Sequence, residues 1–413
     1  MRILIANSQR NVVGGAEKYL QVLCRGLLDR GHELAIAYEF AVNQSRENID
    51  PKTTSLATWN LAELGLPVLL QNVSKWGPDV VYMHGLESFE LEDALLSSYP
   101  TVLFAHAYYG TCGTGSKCHS FPTVRPCTRV FGPTCVLLHY PRRCGGLNPI
   151  TTYRLFRRQL QRKHALHRCA AVLTASESMF QEYIRCGVDP GRVHLVPLPS
   201  GEPMPVRYAY KDRNPSGRIL FVSRFTDIKG GDHLIRAVAI ATTRIDSVTL
   251  TMAGDGPERK RWESLARELN VPARFTGWVT EAEKRVLINE TDLLAVPSLW
   301  PEPFGLVGIE AGSAGVPSVG YAVGGIPDWL KPGESGELAP AEPPTPAGLA
   351  DAIVRALGDP RHYAHLCRGA WQVASRFTLE AHLTKLEPIL NQSAELRAAP
   401  FSPALAAKTY AER

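Results

Sequence analysis

The stretch "PLPSGEPMPVRYAYKDRNPSGRILFVSR", residues 197–224, divides the sequence into two halves. Residues 197–217 are rich in proline, glycine and charge, which is typical of a linker, and the short apolar run "RILFVSR" follows directly. A chain of 413 residues is too long for one ordinary hydrophobic core, so two domains fit its length best. We therefore predict a domain boundary in this stretch.

Short apolar runs alternate with helical stretches, such as 15–29 and 177–186, on both sides of the boundary. The predicted strands are 2–7, 33–38, 79–85, 101–107, 170–176 and 193–198, then 218–224, 248–254, 273–277, 292–298 and 316–321. Their near-continuous apolar character is typical of parallel strands covered on both faces. The alternation predicts an α/β protein with two Rossmann-like, doubly wound domains that face an interdomain cleft. Ligands of such sheets bind beyond the carboxyl ends of the strands, so we expect the functional site in that cleft.

The composition excludes several classes of protein. Hydrophobic residues make up 45% and charged residues 21% of the chain, as in soluble globular proteins. No run of 18 apolar residues appears, and the first residues lack the apolar core of a signal peptide, so we expect a cytoplasmic protein. A net charge of +5 is too small to indicate a nucleic-acid partner.

The basic charge is concentrated in "TYRLFRRQLQRKHALHR", residues 152–168, which has six Lys and Arg side chains and no acidic residue. Tyr153, Phe156 and Leu160 recur at helical spacing, which predicts a basic amphipathic helix. Two interpretations stay open. The helix could make peripheral contact with the inner face of a membrane or with an acidic ligand, or it could present an ordinary solvated face.

Two cations follow the first strand of the second half, in "FVSRFTDIKGGDH", residues 221–233. Arg224 stands at the strand end and Lys229 in the loop behind it. An arginine and a lysine at such a place can bind a diphosphate, the arginine bidentately and the lysine as a point charge. The alternative is a pair of solvated cations.

Two carboxylates lie on either side of a Pro-Phe-Gly turn in "PEPFGLVGIEAGSAGVP", residues 301–317. A helix is expected to begin near Gly305 or Leu306, and its N-terminus would favour phosphate. Glu310, in the early turns of that helix, could accept hydrogen bonds from two ribose hydroxyls, and Glu302, in the loop, could reach a sugar on the diphosphate. Solvated charges near a helix start are the alternative, which the accompanying cations and turn disfavour.

A glycine pair follows the first strand of the chain, in "NVVGGAEK", residues 11–18. Gly14 and Gly15 would let the backbone approach a ligand closely. The G-x-G-x-x-G dinucleotide fingerprint does not appear after this strand, so the pair alone is a weak signal.

These motifs together resemble the retaining glycosyltransferases of GT-B fold, in particular family GT4. "SRFTDIKGGD", "MAGDGPE", "FTGWV" and "AVPSLWPEPFGLVGIEAGSAGVPSVGYAVGGIPD" occur in the order of that family's C-terminal domain, and "GGAEKYL" resembles its N-terminal glycine loop. The resemblance implies transfer of a sugar, with retention, from a UDP-, GDP- or ADP-sugar to a glycan or lipid-linked acceptor. Cell-surface polysaccharide or glycoconjugate biosynthesis would be the setting, and catalysis would need no cofactor.

The resemblance also implies roles for individual residues. It makes Arg224 and Lys229 ligands of the donor diphosphate, Glu310 a ligand of the ribose and Glu302 a ligand of the donor sugar. His106, in "FAHAYYG", resembles the family's sugar-contacting histidine, although a packed histidine is as good an explanation of this residue alone. The further donor-binding residues that it implies are Gly14, Gly15, Gly277, Val279, Phe304, Gly305 and Leu306.

Two other kinds of protein stay open as alternatives. A nucleotide-sugar epimerase or a glycosyl phosphorylase could share the two-domain plan, although the sequence lacks a distinctive pyridoxal lysine and extra carboxylates near the donor carbon. A metal- or redox-sensing binding protein could merely keep the fold, but the presence of both cations and both glutamates argues against it.

The stretch 110–146 interrupts the first half and contains five of the nine cysteines. No C-x2-C pair occurs, so a zinc knuckle is not directly indicated. A structural zinc ion or iron–sulfur cluster is one interpretation, and unligated thiols or a labile disulfide are the others. The ligands expected for a metal are Cys112, Cys118, Cys127 and Cys135, with Cys144 or His119 as substitutes. The location of the stretch suggests an acceptor-side lid that carries Arg125, Arg129, Arg142 and Arg143. The other cysteines, at positions 24, 169, 186 and 367, are expected to be packed.

The sequence thus predicts four segments. Residues 1–200 form an acceptor domain that contains the cysteine-rich insert, and residues 201–375 form the nucleotide-sugar domain. Residues 376–395 form a helix that packs back on the first domain, and residues 396–413 are expected to be a disordered tail.

Overall fold

The computed structural model describes residues 1–40, 47–50, 56–200, 215–245 and 247–396. Most of the predicted linker, residues 201–214, and the predicted tail from residue 397 onward lie outside the described residues. The stretches that flank the linker are described on both sides.

The first half folds around a sheet of seven parallel strands. Its elements begin with β1 (Arg2–Gln9), α1 (Gly15–Asp29), β2 (Glu33–Phe40), β3 (Ala57–Asn60), α2 (Leu61–Leu64), α3 (Leu66–Trp76), β4 (Val80–Met83), α4 (Phe89–Ser98) and β5 (Thr101–Ala105). The cysteine-rich region follows with β6 (Cys118–His119), β7 (Arg125–Pro126), α5 (Thr134–Arg142) and α6 (Pro149–Leu166), and the half ends with β8 (Ala171–Thr174), α7 (Glu177–Arg185) and β9 (Val193–Leu195). The strand order is β3-β2-β1-β4-β5-β8-β9.

The second half folds around a sheet of six parallel strands in the order β12-β11-β10-β13-β14-β15. Its elements are β10 (Arg218–Val222), α8 (Gly231–Ala241), β11 (Thr249–Ala253), α9 (Arg259–Glu268), β12 (Ala273–Gly277), α10 (Glu281–Glu290), β13 (Leu293–Val296), α11 (Leu306–Ser313), β14 (Ser318–Tyr321), α12 (Ile326–Trp329), β15 (Gly336–Ala339), α13 (Pro346–Leu357), α14 (Pro360–Ala374) and α15 (Leu379–Glu395).

Both sheets place their first strand beside their fourth, so the strand order reverses next to β1 and next to β10. This is the doubly wound arrangement, whose ligands bind at the reversal point beyond the carboxyl ends of the strands. The central strands are buried through their middle residues, as Ile3 and Leu4 in β1 and Leu293 in β13 show. Every predicted strand is present. The sequence missed four short strands, namely β3 and β15 of the two large sheets and the two-residue strands β6 and β7.

The last helix, α15, packs against α1, β4 and β5 of the first half. Its leucines at positions 383, 386 and 390 are buried. The contact is close, because a Cβ atom on Gly26 of α1 would lie 2.8 Å from Leu383 Cδ1. His382 of this helix contacts two segments of the first half. Its Nε2 lies 2.8 Å from Tyr19 Oη, and its Nδ1 lies 2.8 Å from the carbonyl oxygen of Pro197.

The predicted basic helix is α6, which begins at Pro149 and ends at Leu166. Asn148 caps it, because its side-chain oxygen accepts hydrogen bonds from the backbone N–H groups of Ile150 and Thr151. Within the part of the chain that the structure describes, no helix combines the length and apolar character that crossing a bilayer requires.

Candidate functional site

The loop between β13 and α11 presents Glu302 at the carboxyl end of the second sheet. One oxygen, Oε2, accepts three hydrogen bonds: from Lys229 Nζ at 2.7 Å, from Ser298 Oγ at 2.9 Å and from Trp300 Nε1 at 2.8 Å. The side chain is only 13% exposed, so these donors fix both its position and its orientation. Oε1 takes no part in these three hydrogen bonds.

The surroundings of Glu302 keep it ionised. Burial raises the pKa of its carboxyl group, but Lys229 and the hydrogen bonds from Ser298 and Trp300 outweigh burial, so the net pKa lies below its ordinary value. The Lys229 ammonium also lies over the Trp300 ring, 4.9 Å from the ring centroid. The loop therefore holds a carboxylate and a cation side by side, which is an arrangement suited to polar, charged ligands.

A glycine pair after β14 supports the backbone of Glu302 from behind. The Gly325 N–H donates to the Glu302 carbonyl oxygen at 2.7 Å. Gly324 has a φ of 55°, and a Cβ atom there would lie 2.3 Å from the same oxygen. Only glycine permits this approach, so the "VGG" turn fixes the loop that presents the carboxylate.

Glu310 lies in α11 between two lysines. Its Oε1 accepts from Lys18 Nζ at 2.9 Å and its Oε2 accepts from Lys284 Nζ at 2.7 Å. Lys18 belongs to α1 of the first half, so this carboxylate links the two halves of the molecule. Lys18 also contacts Glu281 at the start of α10. The four side chains form a charged group of two cations and two anions.

Helix α11 begins where the sequence predicts, with Gly305 as the N-cap residue and Leu306 as the first helical residue. Gly305 has a φ of 84°, which favours glycine, and it gives the first N–H groups of the helix no side-chain cap. Phe304 is buried, and its carbonyl oxygen accepts from Trp329 Nε1 at 2.6 Å. The hydrogen bond from Trp329 thus fixes the turn, and the positive end of the helix dipole lies beside the Glu302 loop.

On the first sheet, His106 follows the end of β5 and is half-buried. Its Nε2 lies 3.0 Å from Nδ1 of His84, which follows the end of β4. Burial lowers the pKa of His106 to about 4, so the imidazole is neutral near pH 7. The His84 contact fixes the orientation of the ring and leaves Nδ1 as its other polar atom.

Tyr108 joins this strand end to the Glu302 loop. Its hydroxyl donates to the carbonyl oxygen of Pro301 at 2.8 Å, and its ring stands edge-on to Trp300 with the centroids 6.4 Å apart. His106 and Glu302 therefore lie on segments that are tied together by a residue two positions from His106. The segments that carry His106 and Glu302 are thus in contact.

The other predicted residues lie at the ends of further strands of the two sheets. Arg224 follows β10 and is exposed, and within the described ranges it forms no side-chain hydrogen bond or ion pair. Gly14 is the N-cap residue of α1, and no atom lies within 4 Å of where a Gly15 Cβ would be, so this turn is open. Gly277 ends β12 with a φ of 77°, and Val279, two residues later, is partly buried.

Sequence reasoning did not assign roles to Lys18, Lys284, Trp300, Tyr108 or His84. A signal existed for the first, because Lys18 lies one turn after the Gly14–Gly15 pair. Lys284, Trp300 and His84 contact site residues of their own half, and Tyr108 reaches the other half; these contacts become visible only in the folded structure.

The predicted metal ligands lie elsewhere, in the cysteine-rich region. Cys112, Cys118, Cys127, Cys135 and Cys144 are free thiols that line one cavity together with His139. Among the described residues, no group of three or more His, Cys, Asp or Glu side chains is placed to hold a single metal ion. The remaining cysteines, at positions 24, 169, 186 and 367, are buried as predicted.

Two Rossmann-like domains whose strand ends face each other across one cleft define the GT-B class of fold. Comparison with solved structures agrees: the chain is similar to the crystal structure of Anabaena HepE in complex with UDP and glucose, with a TM-score of 0.67 at 20% sequence identity, covering 95% of this chain and all of that one. The predicted fold class is therefore confirmed.

Sequence comparisons identify the family. The profile described as Glycosyltransferase Family 4 matches residues 13–199, and the profile described as Glycosyl transferases group 1 matches residues 210–371. The chain belongs to this family of glycosyltransferases, as the resemblance in its motifs indicated.

Curated relatives include a glycogen synthase of Mycobacterium tuberculosis, 29% identical over 227 residues that cover 52% of this chain and 54% of that protein. A D-inositol 3-phosphate glycosyltransferase of Corynebacterium aurimucosum is 33% identical over 179 residues, which cover 41% of this chain and 42% of that protein. The chain spans about half the length of the curated relatives it matches.

Proposed function

We propose that the protein transfers a sugar from a nucleotide-sugar donor to a hydroxyl of a glycan or lipid-linked acceptor, with retention of the anomeric configuration. The observation that carries the proposal is the Glu302 loop, where a buried, ionised carboxylate and the Lys229 cation lie beside the free N-terminus of α11. A neighbour of the same fold, Anabaena HepE, was solved with UDP and glucose, which supports a nucleotide-sugar donor.

The donor would lie along the carboxyl edge of the second sheet. Arg224 and Lys229 would bind the diphosphate, and the uncapped N–H groups of α11 from Gly305 and Leu306 onward would add the positive end of a helix dipole. Glu310 would accept the ribose hydroxyls in place of part of its lysine contacts. The backbone from Gly277 to Val279 would contact the base, and the Gly14–Gly15 turn would let the donor approach α1 closely.

The chemistry follows from this placement. The bond between the anomeric carbon and the diphosphate breaks, the leaving diphosphate gains negative charge, and Arg224, Lys229 and the helix dipole stabilise that charge. The acceptor hydroxyl attacks from the same face of the sugar and gives its proton to the departing diphosphate oxygen. Glu302 would hold the donor sugar through its hydroxyls, and the neutral His106 would contact the same sugar from the first sheet.

Calorimetry with UDP, GDP and ADP and their glucose conjugates tests the donor proposal. Arg224→Ala and Lys229→Ala should each weaken the nucleoside diphosphate and its sugar conjugate alike by about 10- to 100-fold, because both ligands carry the diphosphate. Lys260→Ala, in α9, is the matched control because it removes a cation outside the proposed site. Equal binding by both variants and the control would overturn the diphosphate assignment.

The proposal also includes a surface at which the protein would reach a lipid-linked acceptor. Nine of the fifteen large apolar side chains that are exposed in the described residues lie between Phe121 and Leu160. Residues 110–168 contain eleven Lys and Arg and no Asp or Glu. Leu137 in α5 is 76% exposed, and Ile150 and Tyr153 in α6 are 62% and 65% exposed. Apolar side chains among arginines suit the surface of an anionic membrane, which is where a lipid-linked acceptor would be.

Vesicle sedimentation tests this contact. The protein should bind vesicles that contain anionic lipid and should bind zwitterionic vesicles at least about tenfold more weakly, since each surface cation contributes about 1 kcal/mol. A Leu137→Glu, Ile150→Glu double variant should lose the binding, and Val286→Glu, which changes an exposed apolar residue of α10, should keep it. Equal sedimentation of the two variants would refute the membrane contact without touching the donor proposal.

A further inference from the structure

The cysteine-rich region encloses a cavity of about 190 Å³ that no part of the proposed transfer reaction uses. It lies between the loop that follows β5 and the helices α5 and α6. All five cysteines of the region line it, at positions 112, 118, 127, 135 and 144. Its wall also includes His139 and the cations Arg129 and Arg142. Cysteines far apart in sequence, the first and last separated by two strands and a helix, thus converge on one space.

Buried polar contacts hold the cavity wall in place. Lys117 is 3% exposed and forms an ion pair with Glu182 of α7, which is 4% exposed. The carbonyl oxygen of Lys117 accepts from the Cys127 N–H at 2.7 Å, and its Nζ donates to the carbonyl oxygen of Arg129 at 2.5 Å. Its own N–H donates to Cys112 Sγ at 3.3 Å. One buried lysine therefore fixes the segments that carry two of the thiols, which indicates a built site rather than a loose loop.

The arrangement of the thiols around a cavity favours one of two kinds of metal centre. A zinc ion needs its four ligands around one point, with sulfur atoms about 2.3 Å from the metal. The described cysteines do not form such a group, although they surround a common cavity. An iron–sulfur cluster has several metal and sulfide atoms between its cysteine ligands, so its thiolates stand around a space instead of around a point.

We propose that this cavity holds an iron–sulfur cluster, with four of the five cysteines as its ligands. The surroundings suit that group. The Lys117 N–H hydrogen bond to Cys112 Sγ is of the type that stabilises cluster sulfurs, and Arg129 and Arg142 offset the negative charge of four thiolates. The cluster would bridge the loop after β5, α5 and the loop before α6, and it would fix the position of the exposed apolar residues on α5. The centre is structural, and donor binding does not depend on it.

The test is metal and sulfide analysis of the full chain, purified anaerobically and, in a second arm, reconstituted with ferrous iron and sulfide. We expect about two or four irons per chain with an equal amount of acid-labile sulfide, and visible absorption that dithionite bleaches. A Cys112→Ala, Cys144→Ala variant leaves three thiols, too few for four cysteine ligands, and should hold less than about a tenth of the wild-type iron. The control Cys24→Ala, Cys169→Ala removes two buried cysteines outside the cavity wall and should keep the cluster.

Several results would overturn the proposal. One zinc per chain without sulfide would establish the other kind of centre, and disulfides among the five cysteines in unreduced protein would leave no ligands. Absence of iron and sulfide from both the purified and the reconstituted wild type would also overturn the proposal, whether or not the variants fold. Retention of the wild-type iron by the Cys112→Ala, Cys144→Ala variant would place the metal elsewhere.

Discussion

The charged group around Glu310 makes a prediction whose size follows from the structure. Glu310 is 13% exposed and is held by Lys18 at 2.9 Å and by Lys284 at 2.7 Å. Lys18→Met removes one ammonium partner and leaves the other, so the cost should be that of a partly exposed ion pair, about 1 kcal/mol of unfolding free energy. Lys284→Met should cost about the same for the same reason.

The double variant should lose more than the sum of these two effects. With both lysines gone, the carboxylate of Glu310 is left largely buried without a cation, a situation that costs about 3–5 kcal/mol when burial is complete. We expect a total loss of about 3 kcal/mol, hence a coupling of about 1 kcal/mol between Lys18 and Lys284. Urea unfolding at pH 7.5, followed by tryptophan fluorescence, measures all four proteins of this cycle.

The same cycle in a Glu310→Gln background is the control. Glutamine keeps the shape of the side chain but has no charge to leave unpaired, so the coupling between the two lysines should fall to within about 0.5 kcal/mol of zero. If the losses in the parent protein add within that margin, Glu310 is not the shared partner that couples the two halves, and the reasoning from burial is wrong.

Three other outcomes are expected. Glu302→Gln should lower sugar transfer by about 10- to 100-fold with the affinity for the nucleoside diphosphate nearly unchanged, whereas Glu310→Gln should weaken that affinity itself. Turnover assays and calorimetry would show the roles exchanged if the assignment is wrong. Burial lowers the pKa of His382 to about 4, so below about pH 6.5 the unfolded chain binds a proton that the native state does not. The free energy of unfolding should therefore fall between pH 6.5 and 4 by up to about 1.4 kcal/mol per pH unit. His382→Gln should flatten that slope in urea unfolding. Gly230→Ala puts a Cβ atom 2.0 Å from a carbonyl oxygen and should lower the melting temperature well beyond Gly31→Ala, which has a similar φ and no atom within 4 Å; equal melting temperatures would contradict the steric argument.

The sequence predicts most of the fold because buried parallel strands have a recognisable composition. Strand β1, with Ile3, Leu4 and Ile5 fully buried, is a continuous apolar run and could be found directly. The two strands of the large sheets that were missed, β3 and β15, are four-residue edge strands. β15 carries Gly336 and a buried Glu337 whose charge is balanced by Arg355, so it has no apolar run to reveal it.

The site was predictable only within each half. Strand ends and the helix start at Leu306 follow from local patterns, and these patterns led to Lys229, Glu302 and Glu310. The contacts of Lys18 with Glu310 and of Tyr108 with Pro301 depend on how one sheet is placed against the other. Local sequence patterns do not indicate how the two sheets are placed, so these contacts could be found only in the structure.

Helix α15 has a consequence for anyone who recombines this protein with its relatives. It is encoded at the far end of the chain, yet its buried leucines pack on Gly26 of α1. A chimera joined within residues 197–217 would pair one parent's α1 with another parent's α15, and the close fit at Gly26 would be lost. The unit that can be exchanged is therefore discontinuous in sequence, because α15 and the α1 on which it packs must come from the same parent.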